Sequence, residues 1–199
     1  MGLFDSLLKL AGNAVKKEAA KAVNNAISSI GKGSNRTESF TFAALPNSLA
    51  QLQDMPEASL DSAFKTTALT IVALCAYEKY PDVCIEMLNF LKGPAEVSTY
   101  EKGFIEERLG GKFYKAFSFF EGATPENGYK PNEPFVIKVS ENPYSFDEEN
   151  WATLYVTSGG ADNQRPIKLR KKPSTGQWFL NDIQCLADIR VPVEKGPWA

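Results

Sequence analysis

The residues best equipped for chemistry in this chain of 199 residues are carboxylates and cations, because histidine is absent altogether. That removes the commonest general base near neutral pH and the commonest metal ligand. Ser-His-Asp sites, Cys-His sites and histidine-containing zinc sites are thereby excluded. Three dispersed cysteines, Cys75, Cys84 and Cys185, cannot build a four-cysteine zinc site. Their odd number and irregular spacing point to ordinary buried thiols in a reducing compartment, not to a disulfide-stapled fold. Ser158-Gly159-Gly160 matches neither the P-loop nor the dinucleotide pattern. No cofactor and no metal are implied. An enzyme working through carboxylates, lysine or tyrosine alone stays open, although nothing points to one.

Four groups of residues qualify as sites. Asp147-Glu148-Glu149, with Glu141 nearby, could hold a hard cation or act as paired carboxylates. The cluster lacks the spaced Asp/Asn and Gly of a calcium loop, and a solvated loop before a strand at Trp151 explains it as well. Arg165, Lys168, Arg170, Lys171 and Lys172 crowd one arm of a C-terminal hairpin, where alternation turns Ile167 and Leu169 inward and Lys168, Arg170 and Lys172 outward. That face could meet nucleic acid or another anionic surface. A chain total of −2 gives no pull toward nucleic acid, and charges on a solvated face also discourage edge pairing. Phe117, Phe120, Tyr129 and Trp178 could line an aromatic ligand pocket between helices and sheet, with plain core packing as the alternative. Ser158, Asp162 and Arg165 make a specific turn: Gly159-Gly160 allow unusual backbone angles, and Asp162 is expected to pair with Arg165 across it.

The fifth group is the first 36 residues, whose composition differs from everything after them. Lys9, Lys16, Lys17, Lys21, Lys32 and Arg36 stand against Asp5 and Glu18, a net of +4, so the chain total of −2 leaves −6 on residues 37–199. Phe4, Leu7, Leu8, Ala11, Val15, Val23, Ile27 and Ile30 recur at three- and four-residue steps, the pattern of an amphipathic helix. Gly31 to Asn35 ends it in a linker. Leu3, Phe4, Leu7 and Leu8, flanked by Lys9, Lys16 and Lys17, are expected to dock on an anionic membrane surface or on a partner helix through residues 1–30. The alanine-rich face also suits self-association. Met1-Gly2 through Ser6 fits the myristoylation pattern, which requires a eukaryotic acyltransferase.

The remaining elements follow from period and punctuation. Residues 39–45 alternate toward Pro46 and suggest a strand. Asn47 is placed to cap a helix over 48–53, Pro56 opens a longer helical segment to Tyr80 with a Leu60, Phe64, Ala68, Ile71, Leu74, Cys75 stripe, and Pro81 opens the next, ended by Gly93-Pro94. Ser98 to Glu101 reads as a capping box for a helix ending at Gly110-Gly111. From Phe113 onward strands and turns are expected, with strands over 135–139, 152–157, 166–171 and 177–183. The fold class is therefore α+β: a helical N-terminal half packed on a C-terminal antiparallel β-sheet, preceded by a separate amphipathic helix. The division is residues 1–36 as helix and linker, and 37–199 as one domain. No stretch of about 20 apolar residues occurs, and a cytoplasmic protein, peripheral at the inner face of the membrane, is expected.

Gly122 to Asn127, Tyr129-Lys130-Pro131, Asn142 to Ser145, Ser158 to Asp162, Arg165 to Arg170 and Gly176 to Leu180, together with Tyr80-Pro81-Asp82 and Leu91 to Pro94, resemble a family of uncharacterised proteins from clostridial and related bacteria. The resemblance covers most of residues 55–199. It implies bacterial origin, an intracellular setting and a domain of unknown function, and it supplies no catalytic residues. Sequence alone thus favours a non-enzymatic binding or adaptor protein, the alternative being a small-molecule-binding domain or a histidine-independent enzyme built on the aromatic pocket.

Overall fold

Serine caps fix where three of the helices start. In the computed structural model, which describes residues 35–193, the Gln51 N–H donates to Ser48 Oγ at 3.3 Å and helix α1 runs Leu49–Gln53. The cap is therefore Ser48 and not Asn47, whose own N–H donates to the Gln51 side chain. Ser62 accepts from the Phe64 N–H and opens α2, Ala63–Cys75. Pro81 opens α3, Pro81–Lys92, and Gly93 ends it. Ser98 and Glu101 form the expected capping box of α4, Thr99–Leu109. A one-turn helix, α5, spans Tyr114–Phe117, where strands and turns were expected; four residues are too few to display a period.

The segment expected to run unbroken from Pro56 is divided. Pro56–Ser59 is a 3₁₀ turn, and Leu60 then takes a left-handed backbone (φ 54°) while its side chain is buried. Burial of the leucine offsets a conformation that L-residues avoid.

Helix α2 is enclosed on nearly every side, beyond the stripe its spacing predicts, and touches all five strands. Three threonines make that tolerable. Thr67 and Thr70 donate their hydroxyls to the carbonyls of Ala63 (2.9 Å) and Thr66 (2.8 Å), and Thr66 donates to the Trp178 carbonyl at 2.8 Å. Each hydroxyl is buried with an acceptor already in place, so the polar atoms cost little.

The strands are β1 Thr37–Phe42, β2 Phe135–Ser140, β3 Trp151–Val156, β4 Arg165–Lys171 and β5 Trp178–Ile183, all antiparallel and ordered β1-β2-β3-β4-β5. The helices all lie in the connection between β1 and β2 and pack on the face that carries Phe40, Ile137, Val139, Leu154, Ile167 and Leu169. Along β4, Ile167 and Leu169 are buried while Lys168 and Arg170 are exposed, as alternation predicts. This is the α+β arrangement, with β1 ahead of the helices and the other four strands after them.

Gly103 sits in the middle of α4 with open space where a Cβ would stand. Gly103→Ala is expected to stabilise the domain by about 0.5–1 kcal/mol, read as a raised urea midpoint, because alanine loses less entropy on entering a helix.

Candidate functional site

A cleft of about 520 Å³ opens where the β1–α1 loop, the C-terminal end of α2 and the segment 113–130 meet. Leu45, Pro46, Cys75, Phe113, Phe117 and Tyr129 give it apolar walls, and Glu78, Lys79 and Lys130 stand at it as charged groups. The walls are held by ring contacts. Phe113 meets Phe117 edge-on at 6.4 Å, and Tyr129 stacks on Tyr114 at 5.4 Å. Tyr129 is a left-handed residue (φ 61°) whose hydroxyl donates to the Arg190 carbonyl at 2.7 Å. Burial pushes its phenol up to about 12, so it stays protonated as a donor and is no acid or base near neutral pH.

Phe117 and Phe120 are in ring contact at 6.3 Å and Phe117 shares the cleft with Tyr129, but Trp178 is not brought to them. Phe117 and Tyr129 line the cleft, whereas Phe120 is buried behind it, 5.4 Å from Phe135. Trp178 lies elsewhere on β5, edge-on to Phe146 at 5.7 Å, with its N–H donating to the Leu60 carbonyl.

The turn at Ser158 is built differently from its expectation. Asp162 does not pair with Arg165; it meets Arg190 at 2.9 Å, while Arg165 donates to the Asp188 carbonyl at 2.8 Å. Both side chains reach outward to residues 188–190, because a partner three residues away is only one of those a folded chain offers. Ser158 is buried and donates to Ser118 Oγ at 2.8 Å. The turn clasps residues 188–190 and exposes no reactive hydroxyl.

Cys75, Cys84 and Cys185 are free and buried. Burial raises the Cys75 thiol well above its ordinary range and pushes Cys84 and Cys185 up to about 12. Protonated thiols are poor nucleophiles. In the native protein at pH 7, Cys84 and Cys185 are expected to react with iodoacetamide at least about a thousandfold more slowly than after denaturation. Mass spectrometry of the alkylated chain gives the comparison.

Asp147, Glu148 and Glu149 are exposed, and among the described residues no three His, Cys, Asp or Glu side chains gather as a metal site. Leu3, Phe4, Leu7, Leu8, Lys9, Lys16 and Lys17 lie outside the described residues, as does the amphipathic helix expected there.

A domain of unknown function, DUF6935, matches residues 44–193. The chain belongs to that family. No curated protein and no solved structure matches it. The matched span holds the cleft, the turn and four of the five strands, while β1 precedes it.

Sequence reasoning passed over a second opening, a groove of about 280 Å³ between the α3–α4 turn and the β4–β5 hairpin. At its base the side chain of Lys92, 8% exposed, donates to Glu101 Oε1 at 2.6 Å and to the Asn181 carbonyl at 3.3 Å. Asn181 is the extra residue of a bulge: Lys168 pairs with Asp182 and Leu169 with Leu180. A lysine in the last turn of a helix ordinarily signals only the helix dipole. What makes Lys92 different is a strand some ninety residues later in the chain.

No described helix is long and apolar enough to cross a membrane.

Proposed function

We propose that the chain is a non-enzymatic binding or adaptor protein, peripheral at the inner face of the membrane, whose basic N-terminal segment docks on anionic lipid. The observation that carries the proposal is the charge division, +4 over residues 1–36 and −6 over 37–199. Support also comes from where the ladder begins: the Glu141 N–H donates to the Arg36 carbonyl at 2.9 Å and β1 starts at Thr37, the point at which composition changes. The buried hydroxyls of Thr66, Thr67, Thr70, Ser118 and Ser158 are engaged in hydrogen bonds within the fold. Its buried thiols and the Tyr129 phenol are protonated, which suits binding better than covalent or proton-transfer chemistry. Each cation near an anionic surface is worth about 1 kcal/mol, and Leu3, Phe4, Leu7 and Leu8 add apolar insertion. Deleting residues 1–33 is expected to release the protein from the membrane fraction of its own cells without unfolding it; unchanged location and assembly state would sink the idea. Docking on a partner helix would instead give release from a protein complex with no change in lipid binding.

A second role, small-molecule binding, is favoured by the 520 Å³ aromatic cleft. Its test is titration with 8-anilinonaphthalene-1-sulfonate. A saturable one-site signal lost in Phe117→Trp, which fills the cleft, supports it, and a signal indifferent to that substitution rejects it.

A further inference from the structure

The α3–α4 groove collects cations on a body that is acidic as a whole. Lys92, Arg170, Lys171 and Lys172 all line its 280 Å³. Lys92 is ion-paired with Glu101. Among the described residues no carboxylate forms an ion pair with the other three. Arg170 and Lys171 instead lie over the rings of Trp151 (5.1 Å) and Trp178 (5.7 Å). Like charges held side by side repel, and a rigid scaffold that keeps them together is arranged for a counter-charge.

The scaffold here is rigid. The bulge at Asn181 turns a carbonyl onto Lys92, and the same Glu101 that pairs with Lys92 also accepts from Ser98, tying α3, α4 and β5 into one base. The wall beside it depends on Gly93 (φ +64°), where a Cβ would run into the Phe179 ring. The far wall is the hairpin tip, closed by Lys172 N–H to the Gln177 carbonyl and Gly176 N–H to the Lys172 carbonyl, both 2.8 Å. A guanidinium held over an indole by its charge keeps N–H groups for two-pronged contact with an oxyanion.

We propose that this groove binds a discrete phosphate group, with Arg170 and Lys172 as its principal contacts, Lys92 as the fixed charge at its base, and Phe179 and Pro94 against the rest of the ligand. A nucleic-acid strand fits less well. The groove is short, and a polyanion continuing past Arg170 toward Trp151 meets the exposed acidic loop Asp147–Glu149 that leads into β3, where the Trp151 N–H donates to the Glu148 carbonyl. The phosphate can come from a soluble phosphorylated molecule or from a phospholipid headgroup. The groove stands whether or not the N-terminal segment meets a membrane.

The test uses the full-length ¹⁵N-labelled chain and inorganic pyrophosphate at constant ionic strength, with Arg170→Gln/Lys172→Gln as the variant. Both positions are exposed, so the variant should keep the wild-type spectrum elsewhere. A parallel arm measures flotation of both proteins on phosphatidylglycerol vesicles. Saturable amide shifts at residues 92–95, 170–173 and 179–181, weakened tenfold or more in the variant, support the site with a soluble ligand. A tenfold loss of vesicle binding in the variant, with no pyrophosphate shifts, supports it with a lipid headgroup. If the variant alters neither pyrophosphate binding nor flotation, the proposal is overturned.

Discussion

Gly159→Ala should lower the stability of the domain by about 3 kcal/mol, a drop of roughly 1–2 M in the urea midpoint. A Cβ at residue 159 would run into the Ala123 carbonyl oxygen, and that obstacle is backbone, so no side-chain rotation relieves it. Nor can residue 159 retreat. Its N–H donates to the Ser118 carbonyl at 2.9 Å, Ser158 donates to Ser118 Oγ, the Gly160 N–H donates to Ser158 Oγ at 3.1 Å, and the Arg190 N–H donates to the Gly160 carbonyl at 2.9 Å. Moving the strap breaks several buried hydrogen bonds at once, each about 1 kcal/mol. The opposite sign expected for Gly103→Ala makes the pair diagnostic, since the same added methyl meets open space in one place and a carbonyl in the other. An unchanged midpoint in Gly159→Ala would mean that the clasp is loose.

The second large effect is at Lys92. Lys92→Met keeps much of the hydrocarbon volume but leaves the Asn181 carbonyl without this donor and Glu101 without its cation. The expected cost is about 2–3 kcal/mol, below that of a fully buried pair because Glu101 is 29% exposed and keeps its bonds from Ser98. A double-mutant cycle with Glu101→Gln should return a coupling of about 1 kcal/mol or more. Acid provides a second check. Burial alone would push the Glu101 carboxyl up; hydrogen bonds from Lys92 and from the N–H and hydroxyl of Ser98 outweigh it and hold the carboxyl below its ordinary 4.5. A depressed folded value stabilises fully above the unfolded pKa and is lost as pH falls through the folded one. The stability gap between wild type and Lys92→Met should therefore be full at pH 6–7 and shrink as the pH falls below about 4.5. A gap that widens in acid would contradict the ion pair.

Local chemistry was readable where a few neighbouring residues decide the outcome. Ser98 and Glu101 announce a capping box because both partners lie within one turn, Pro81 announces a first turn, and the Ile167-Lys168-Leu169-Arg170 alternation announces which face of β4 is wet. Failures occur where the deciding partner is distant in sequence. The Thr66 hydroxyl is buried on the carbonyl of Trp178, which no local pattern around Thr66 announces. Asp162 and Arg165 are near enough to pair, yet the segment Asp188–Arg190 supplies other partners. Trp178 shares a sequence character with Phe117 and Tyr129 but reaches a different part of the fold through β5. The 280 Å³ groove needs a helix end, a bulge and a hairpin tip at once, and no single stretch of sequence contains all three.

The most direct measurement for the proposed attachment is vesicle flotation of three full-length proteins: the wild type, Lys9→Gln/Lys16→Gln/Lys17→Gln, and Leu3→Ser/Phe4→Ser/Leu7→Ser/Leu8→Ser. Each is tested with neutral and anionic lipid at low and high salt. The wild type is expected to float only with anionic lipid, less at high salt, and both variants to stay in solution. Wild type that remains in solution under every condition, or floats equally on neutral lipid at high salt, would contradict electrostatic docking through residues 1–36.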